Sequence, residues 1–247
     1  MIILFLGAPG VGKGTFASII TQKMKPTWKT FSLGDAMRQK VSEFSPLGLK
    51  IAKRMSRGEL VNDEVVNELC FRSLDAMLAD DERDGENCII LDGYPRSLSQ
   101  SEALLQHCKQ KAEAVKILAV DIRLDEEVAI QKLLGRRICE TCNQGFNMSD
   151  ITGGSYDMPA ILPNPKVCVL GRDKCFPLLV ERNDDTLVTI KRRLAVHAEE
   201  TEPVISYFRD RDMHFRFDVK KGVKDTPELL AQIMKHLGRK EDKDALF

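Results

Sequence analysis

Apolar positions recur along the chain in two alternating rhythms. Short runs rich in β-branched residues, Met1–Leu6, Lys29–Leu33, Asn87–Asp92, Val115–Leu124 and Met213–Val219, read as strands. Between them lie longer amphipathic segments that predict helices. Lys13–Met24 follows the first strand and Asp35–Phe44 the second; Asp63–Leu78 carries Val66, Leu69, Leu74 and Met77 at helical spacing, with Asn62 or Asp63 as a cap. Thr226-Pro227-Glu228 before Leu229 predicts the start of a final helix, with threonine as cap and proline in the first turn. The alternation implies an α/β fold, a five-stranded parallel sheet flanked by helices. One stretch breaks the rhythm. From Cys139 to Leu179 periodicity fades, Gly, Pro and Asn accumulate, and four of the seven cysteines fall there, which marks a small module inserted between two helices.

The loop after the first strand carries the strongest chemical signal. It reads Gly7-Ala8-Pro9-Gly10-Val11-Gly12-Lys13-Gly14-Thr15 and opens directly into a helix. Glycines let backbone N–H groups turn inward, a helix N-terminus adds positive potential, and Lys13 adds a full charge. Strand, loop and helix together predict a P-loop cradle for a nucleoside triphosphate at Gly10, Val11, Gly12, Lys13, Gly14 and Thr15. Gly14 stands where a serine or threonine metal ligand is usual, and Thr15 comes one place later.

In a parallel sheet the carboxyl ends of the strands face the ligand crevice. After the second strand comes Ser32-Leu33-Gly34-Asp35-Ala36-Met37-Arg38, and after the third Asp92-Gly93-Tyr94-Pro95-Arg96, with Gln100 four residues on. Beyond the fourth strand, at the end of its helix, lies Gly135-Arg136-Arg137. Asp92, one strand away from the cradle, is placed to hold the water shell of a Mg²⁺ ion that bridges the phosphates.

Composition narrows the partners. Lys plus Arg (37) balances Asp plus Glu (37), so no overall field draws the chain to nucleic acid or to an anionic membrane, and anion binding must come from local arginine clusters. No apolar run reaches the roughly 20 residues of a membrane helix. The first strand begins at once, so no leader is expected; the cysteines read as reduced thiols or metal ligands, and the chain as a cytoplasmic monomer. Residues 239–247 read as a charged tail. Cys70, Cys88, Cys108, Trp28 and Tyr94 read as core, and His107, His197, His214 and His236, which share no ligand spacing, are assigned no chemistry.

Six ordered segments carry a resemblance that spans the chain to about residue 238. The loop Gly7–Thr15, Ser-x-Gly-Asp-x-x-Arg at Ser32–Arg38, Gly58-x-Leu60-Val61, Asp92–Arg96 with Gln100, Gly135-Arg136-Arg137, and Arg182-Asn-Asp184-Asp185 with Arg193 resemble adenylate kinases of the long form, with a full lid. The resemblance implies a kinase core at 1–135 and 181–238, a monophosphate-binding segment at 34–63 and a lid at 136–180. It implies that Lys13 neutralises the transferring phosphoryl group, and that Arg38 and Arg96 clamp the acceptor phosphate. Gln100 would then bond the acceptor base, with Ser32, Gly58, Leu60, Val61 and Gly93 around the acceptor AMP. Arg136, Arg182 and Arg193 would close over the phosphates, Arg182 and Arg193 also reaching AMP, with Asp184 and Asp185 ordering them and the waters of Mg²⁺. Leu33 replaces a common threonine or serine near the acceptor base, and Lys132 replaces an arginine that lies over the donor base in ATP.

Cys139-Glu-Thr-Cys142 has zinc-knuckle spacing, whereas Cys168 and Cys175 are separated by six residues. The resemblance implies a structural Zn²⁺ held by Cys139, Cys142, Cys168 and Cys175 in the lid. The reaction so implied is reversible transfer of the γ-phosphoryl group of Mg²⁺-ATP to AMP, giving two ADP. Three alternatives stay open: a GTP:AMP kinase, a UMP/CMP kinase, and a non-catalytic nucleotide-binding module.

Overall fold

A computed structural model describes residues 1–24, 27–79, 88–110, 115–142, 144–164 and 174–238. The amino-terminal part alternates strand and helix: β1 (Ile2–Leu6), α1 (Lys13–Lys23), β2 (Trp28–Ser32), α2 (Leu33–Ser42), α3 (Pro46–Ser56) and α4 (Asp63–Ala79). β3 (Cys88–Asp92), α5 (Leu98–Lys109), β4 (Ile117–Arg123) and α6 (Glu126–Leu134) continue it. The chain then makes an excursion through five short strands, β5 (Arg136–Cys139), β6 (Gly145–Asn147), β7 (Ile151–Gly153), β8 (Tyr156–Met158) and β9 (Leu179–Val180). It returns through α7 (Leu187–Val196), a π-helical turn at His197–Thr201, α8 (Glu202–Arg209), β10 (His214–Asp218) and α9 (Thr226–His236).

The five long strands pair in the order β10-β4-β1-β3-β2, all parallel. Side chains alternate across β1: Ile2, Leu4 and Leu6 pack into one cluster with Leu74, Leu104 and Phe208, and Ile3 and Phe5 into another with Phe16, Ile20, Leu229 and Ile233. Burial on both faces explains why the central strands are apolar almost throughout. Each such side chain contributes about 1.5–3 kcal/mol on leaving water. The order changes direction at β1, between β3 and β4, which opens a crevice at the carboxyl ends. Register sets Asp92 beside both Phe5 and Ser32, so the loops after β1, β2 and β3 meet there.

Three local differences from the sequence expectation have physical causes. Leu33 is the first residue of α2, not the last of β2, because the Ser32 hydroxyl accepts from Asp35 N at 3.3 Å and starts the helix early. Thr226 does not cap α9. Its hydroxyl donates to Val223 O, while the Asp225 carboxylate turns back to accept from Lys220 N and Lys221 N. The excursion is not patternless: β6-β5-β9 form an antiparallel sheet and β7-β8 a hairpin, with strands too short to display alternation in sequence.

Candidate active site

The phosphate end of the crevice is built by α1. Its cap, Gly12, contributes no side-chain hydrogen bond, so the first N–H groups of the helix face the loop. Lys13 folds over that loop, donating from Nζ to Gly7 O and Ala8 O, each at 2.8 Å. Burial lowers its ammonium to about 8; Asp92 opposes this, and Arg96, Arg193 and Arg136 reinforce it. Gly14 now has a reason. A Cβ there would stand 3.0 Å from Asp92 Oδ2, so the glycine admits the carboxylate of the neighbouring strand against the helix. Burial raises the Asp92 carboxyl, countered by Lys13 and Arg96.

From Lys13 a single cleft runs towards α2, α3 and α4. Its far walls are mostly apolar, with Leu33, Met37, Met55, Leu60, Val61 and Val66, and also include Gly58 and Glu59. Arg96, Gln100 and Gly93 form the side nearest β3. Arg96 folds back, its Nε donating to Gly93 O at 2.8 Å, and a Cβ at Gly93 would meet its Nη2 at 2.9 Å; φ is +76° there. Burial lowers the Arg96 guanidinium to about 10, with Arg193 next in effect. Thr201, in the π turn, donates to Arg96 O at 3.1 Å and ties that loop to α8. Arg38 also lines the cleft, ion-paired to Asp35. Ser32 lies outside the lining, its hydroxyl capping α2.

Three further arginines gather where the excursion leaves and rejoins the core. Arg136, first in β5, makes a two-pronged pair with Asp185: Nε to Oδ2 at 2.7 Å and Nη2 to Oδ1 at 2.5 Å. Arg193 of α7 donates to Asp184 Oδ2 at 3.1 Å and to Asp185 Oδ1 at 3.2 Å. Arg182 has a buried Nε without a partner among the described residues. Burial lowers it to about 10, followed by the charges of Arg136 and Arg38. Lys13, Arg38, Arg96, Arg136, Arg182 and Arg193, distant in sequence, thus lie within one electrostatic neighbourhood.

Other expected residues lie elsewhere. Lys132 stands at the end of α6, its Nζ 3.9 Å from Met158 Sδ, and burial lowers its ammonium. Cys139, Cys142 and Cys175 bring their sulfurs within 4.8 Å of one another; Cys168 and the 239–247 tail are outside the described residues. Sequence spacing missed His197, which lines the cleft at the start of the π turn. Burial, with Lys13 next, holds its imidazole down to about 4. Only the three-dimensional meeting of α7 with the P-loop reveals it.

Among the described residues no helix is long and apolar enough to cross a membrane. The family model described as "Adenylate kinase" matches residues 5–213. The chain is 35% identical over 230 residues to "Adenylate kinase 1, chloroplastic" of Arabidopsis thaliana, covering 92% of this chain and 75% of that one. It is 34% identical over 242 residues to "Adenylate kinase" of Clostridium tetani, covering 96% and 99%. It is also 32% identical over 246 residues to "GTP:AMP phosphotransferase" of Plasmodium falciparum, covering 98% and 99%.

Proposed function

The chain belongs to the adenylate kinase family, and from that premise we propose that it transfers the γ-phosphoryl group of ATP to AMP, reversibly, giving two ADP. One observation carries the reading: Lys13, Arg38, Arg96 and Arg193, from separate segments, line a cleft that joins a P-loop to an apolar pocket containing Gln100, with Arg136 and Arg182 within reach of their charge. In this reading AMP lies in the apolar pocket, edge-on to Gln100, and Arg96 and Arg38 grip its phosphate once Arg38 leaves Asp35. The triphosphate occupies the α1 N-terminus. Lys13 exchanges its bonds to Gly7 O and Ala8 O for phosphate oxygens, and Arg136, Arg182 and Arg193 neutralise charge as it spreads in the loose transition state. Alignment and exclusion of water suffice, without a general base.

Mg²⁺ arrives with the triphosphate and, when bound, neutralises the β- and γ-phosphates. Asp92 fits as an outer partner of its waters, being a half-buried carboxylate set against Gly14 at the start of α1. Asp184 and Asp185 support it less directly, since they hold Arg193 and Arg136.

Residues 136–180 act in this reading as the lid over the donor, and 34–63 as the arm that closes over AMP. Cys139, Cys142 and Cys175 form a fit donor set for a structural Zn²⁺, with Cys168 as the fourth thiolate; neighbouring N–H groups and thiols already lower the Cys139 thiol to about 7. The buried thiols Cys70, Cys88 and Cys108 suit a reducing, cytoplasmic setting, and we read the enzyme as a monomer.

Lys132 favours a second reading of the donor. At the position where the resemblance expects an arginine over the donor base, an ammonium would instead pair with the O6 and N7 acceptors of guanine, which would make GTP the donor to AMP. A coupled assay that crosses ATP and GTP with AMP, UMP and CMP tests both. The expected result is AMP as the preferred acceptor and ATP as the preferred donor; GTP surpassing ATP selects the second reading, and UMP or CMP surpassing AMP overturns the assignment.

A further inference from the structure

Gln100 is 1% exposed, and the terminal atoms of its amide are each already committed once. Its Oε1 accepts from Arg96 N at 2.8 Å, and its Nε2 donates to Asp63 Oδ1 at 2.7 Å. Asp63, first in α4, is itself held from the other side, where its Oδ2 accepts from Ser97 Oγ at 2.8 Å. Ser97 in turn caps α5 by accepting from Gln100 N at 3.2 Å.

An amide can ordinarily be turned over, exchanging its oxygen and nitrogen at little cost. Here it cannot. A backbone N–H only donates and an ionised carboxylate only accepts, so Arg96 N and Asp63 demand the same orientation. The reversed amide would set N–H₂ against N–H and C=O against a carboxylate, leaving buried groups unpaired.

We propose that Asp63 is a positioning residue for acceptor recognition, fixing the order of the Gln100 amide so that it matches a 6-aminopurine and rejects a 6-oxopurine. The inference rests on the reading of this cleft as the site of a purine monophosphate. Each end of the amide keeps one group for the cleft, the second N–H of Nε2 and the second lone pair of Oε1. A 6-aminopurine offers the complement, an N1 acceptor beside a 6-amino donor. A 6-oxopurine offers the inverse, an N1–H donor beside an O6 acceptor, and meets like with like. Leu33, Met37, Val61 and Val66 bring no polar side chain to the cleft, so among these neighbours the Gln100 amide is the group that reads the polarity of the base.

The test compares kcat/KM for AMP and for IMP (the 6-oxo analogue) in wild type, Asp63→Asn and Ser97→Ala. Asparagine keeps the shape of Asp63 but can donate or accept, which removes one of the two constraints on the amide and leaves Arg96 N alone to hold it. The expected result for Asp63→Asn is an AMP-over-IMP preference reduced by about tenfold or more, expressed in KM, with kcat for AMP within about threefold of wild type. Ser97→Ala removes the helix cap and one Asp63 partner but leaves the Asp63–Gln100 bond; it should lower Tm while keeping the preference. Asp63→Ala repeats the comparison should Asp63→Asn not fold. An unchanged preference in Asp63→Asn, or an equal loss in Ser97→Ala, overturns the amide lock while the acceptor reading stands. Wild-type preference for UMP or CMP overturns the acceptor reading and the lock with it.

Discussion

Lys13 sits half-buried between Asp92 and several arginines, and its titration has two opposite consequences. Its folded value, about 8, lies below the ordinary 10.5, so the ionised form weakens the ligand-free fold at every pH below about 8. That penalty lifts as pH climbs from about 8 towards 10.5. Binding runs the other way, because polyphosphate requires the ammonium. The dissociation constant of a bisubstrate dinucleotide polyphosphate should therefore weaken above pH 8, approaching tenfold per unit, in a titration calorimeter. Lys13→Met should lower kcat by about 10²–10³-fold, the range for losing one preorganised charge, while ligand-free Tm holds or rises. A fall in Tm comparable to that of a core truncation would contradict this account of the charge.

Between elements, the decisive contact is the Asp185 carboxylate, whose side chain is 2% exposed and which receives both Arg136 of β5 and Arg193 of α7. Asp185→Asn takes the counter-charge from Arg136 and leaves Arg193 with Asp184 alone. Chemical denaturation should show a loss of about 3 kcal/mol, the low end for a buried pair because Arg136 keeps some exposure, together with reduced kcat. Metal analysis of chelator-free protein should find close to one equivalent of zinc, and Cys142→Ser should lose it; under about a tenth of an equivalent in wild type removes the zinc reading. Legibility in the sequence differs from element to element. The strands were plain because both faces of β1 and β3 are buried, and runs such as Ile2–Leu6 advertise that directly. The start of α2 was harder, since Leu33 is apolar in either assignment and only the Ser32 hydroxyl decides it. The β5–β9 strands were unreadable because two to four residues cannot establish a period.

At the scale of the molecule, zero net charge coexists with a concentrated cationic cleft. Ligand-free protein holds that repulsion, so any polyphosphate should stabilise it. A bisubstrate analogue at a hundredfold excess over its dissociation constant should add about 2.7 kcal/mol, and inorganic tripolyphosphate a smaller gain that shrinks with salt, both read by calorimetry. The motif order singled out six cations, of which Lys13, Arg38, Arg96 and Arg193 line the cleft and Arg136 and Arg182 stand outside its lining. It could not reveal the histidine: the position of His197 depends on how α7 runs into its π turn against the P-loop, a three-dimensional fact with no spacing to announce it. Asp63 was legible only as a helix start, because its partnership with Gln100 spans 37 positions of sequence.

The double-pronged bond between Arg136 and Asp185 has a topological consequence. It fastens the point where the chain departs from the sheet to the point where it comes back, making the intervening stretch a closed ring. Closure entropy grows only slowly with the number of links in such a ring. Between its ends the ring meets the core again: Met158 packs into the cluster beside Ile3 and Phe5, Asp157 N donates to Lys220 O, and the Asp157 carboxylate accepts from the Lys224 ammonium. A change of length is therefore absorbed only away from those contacts.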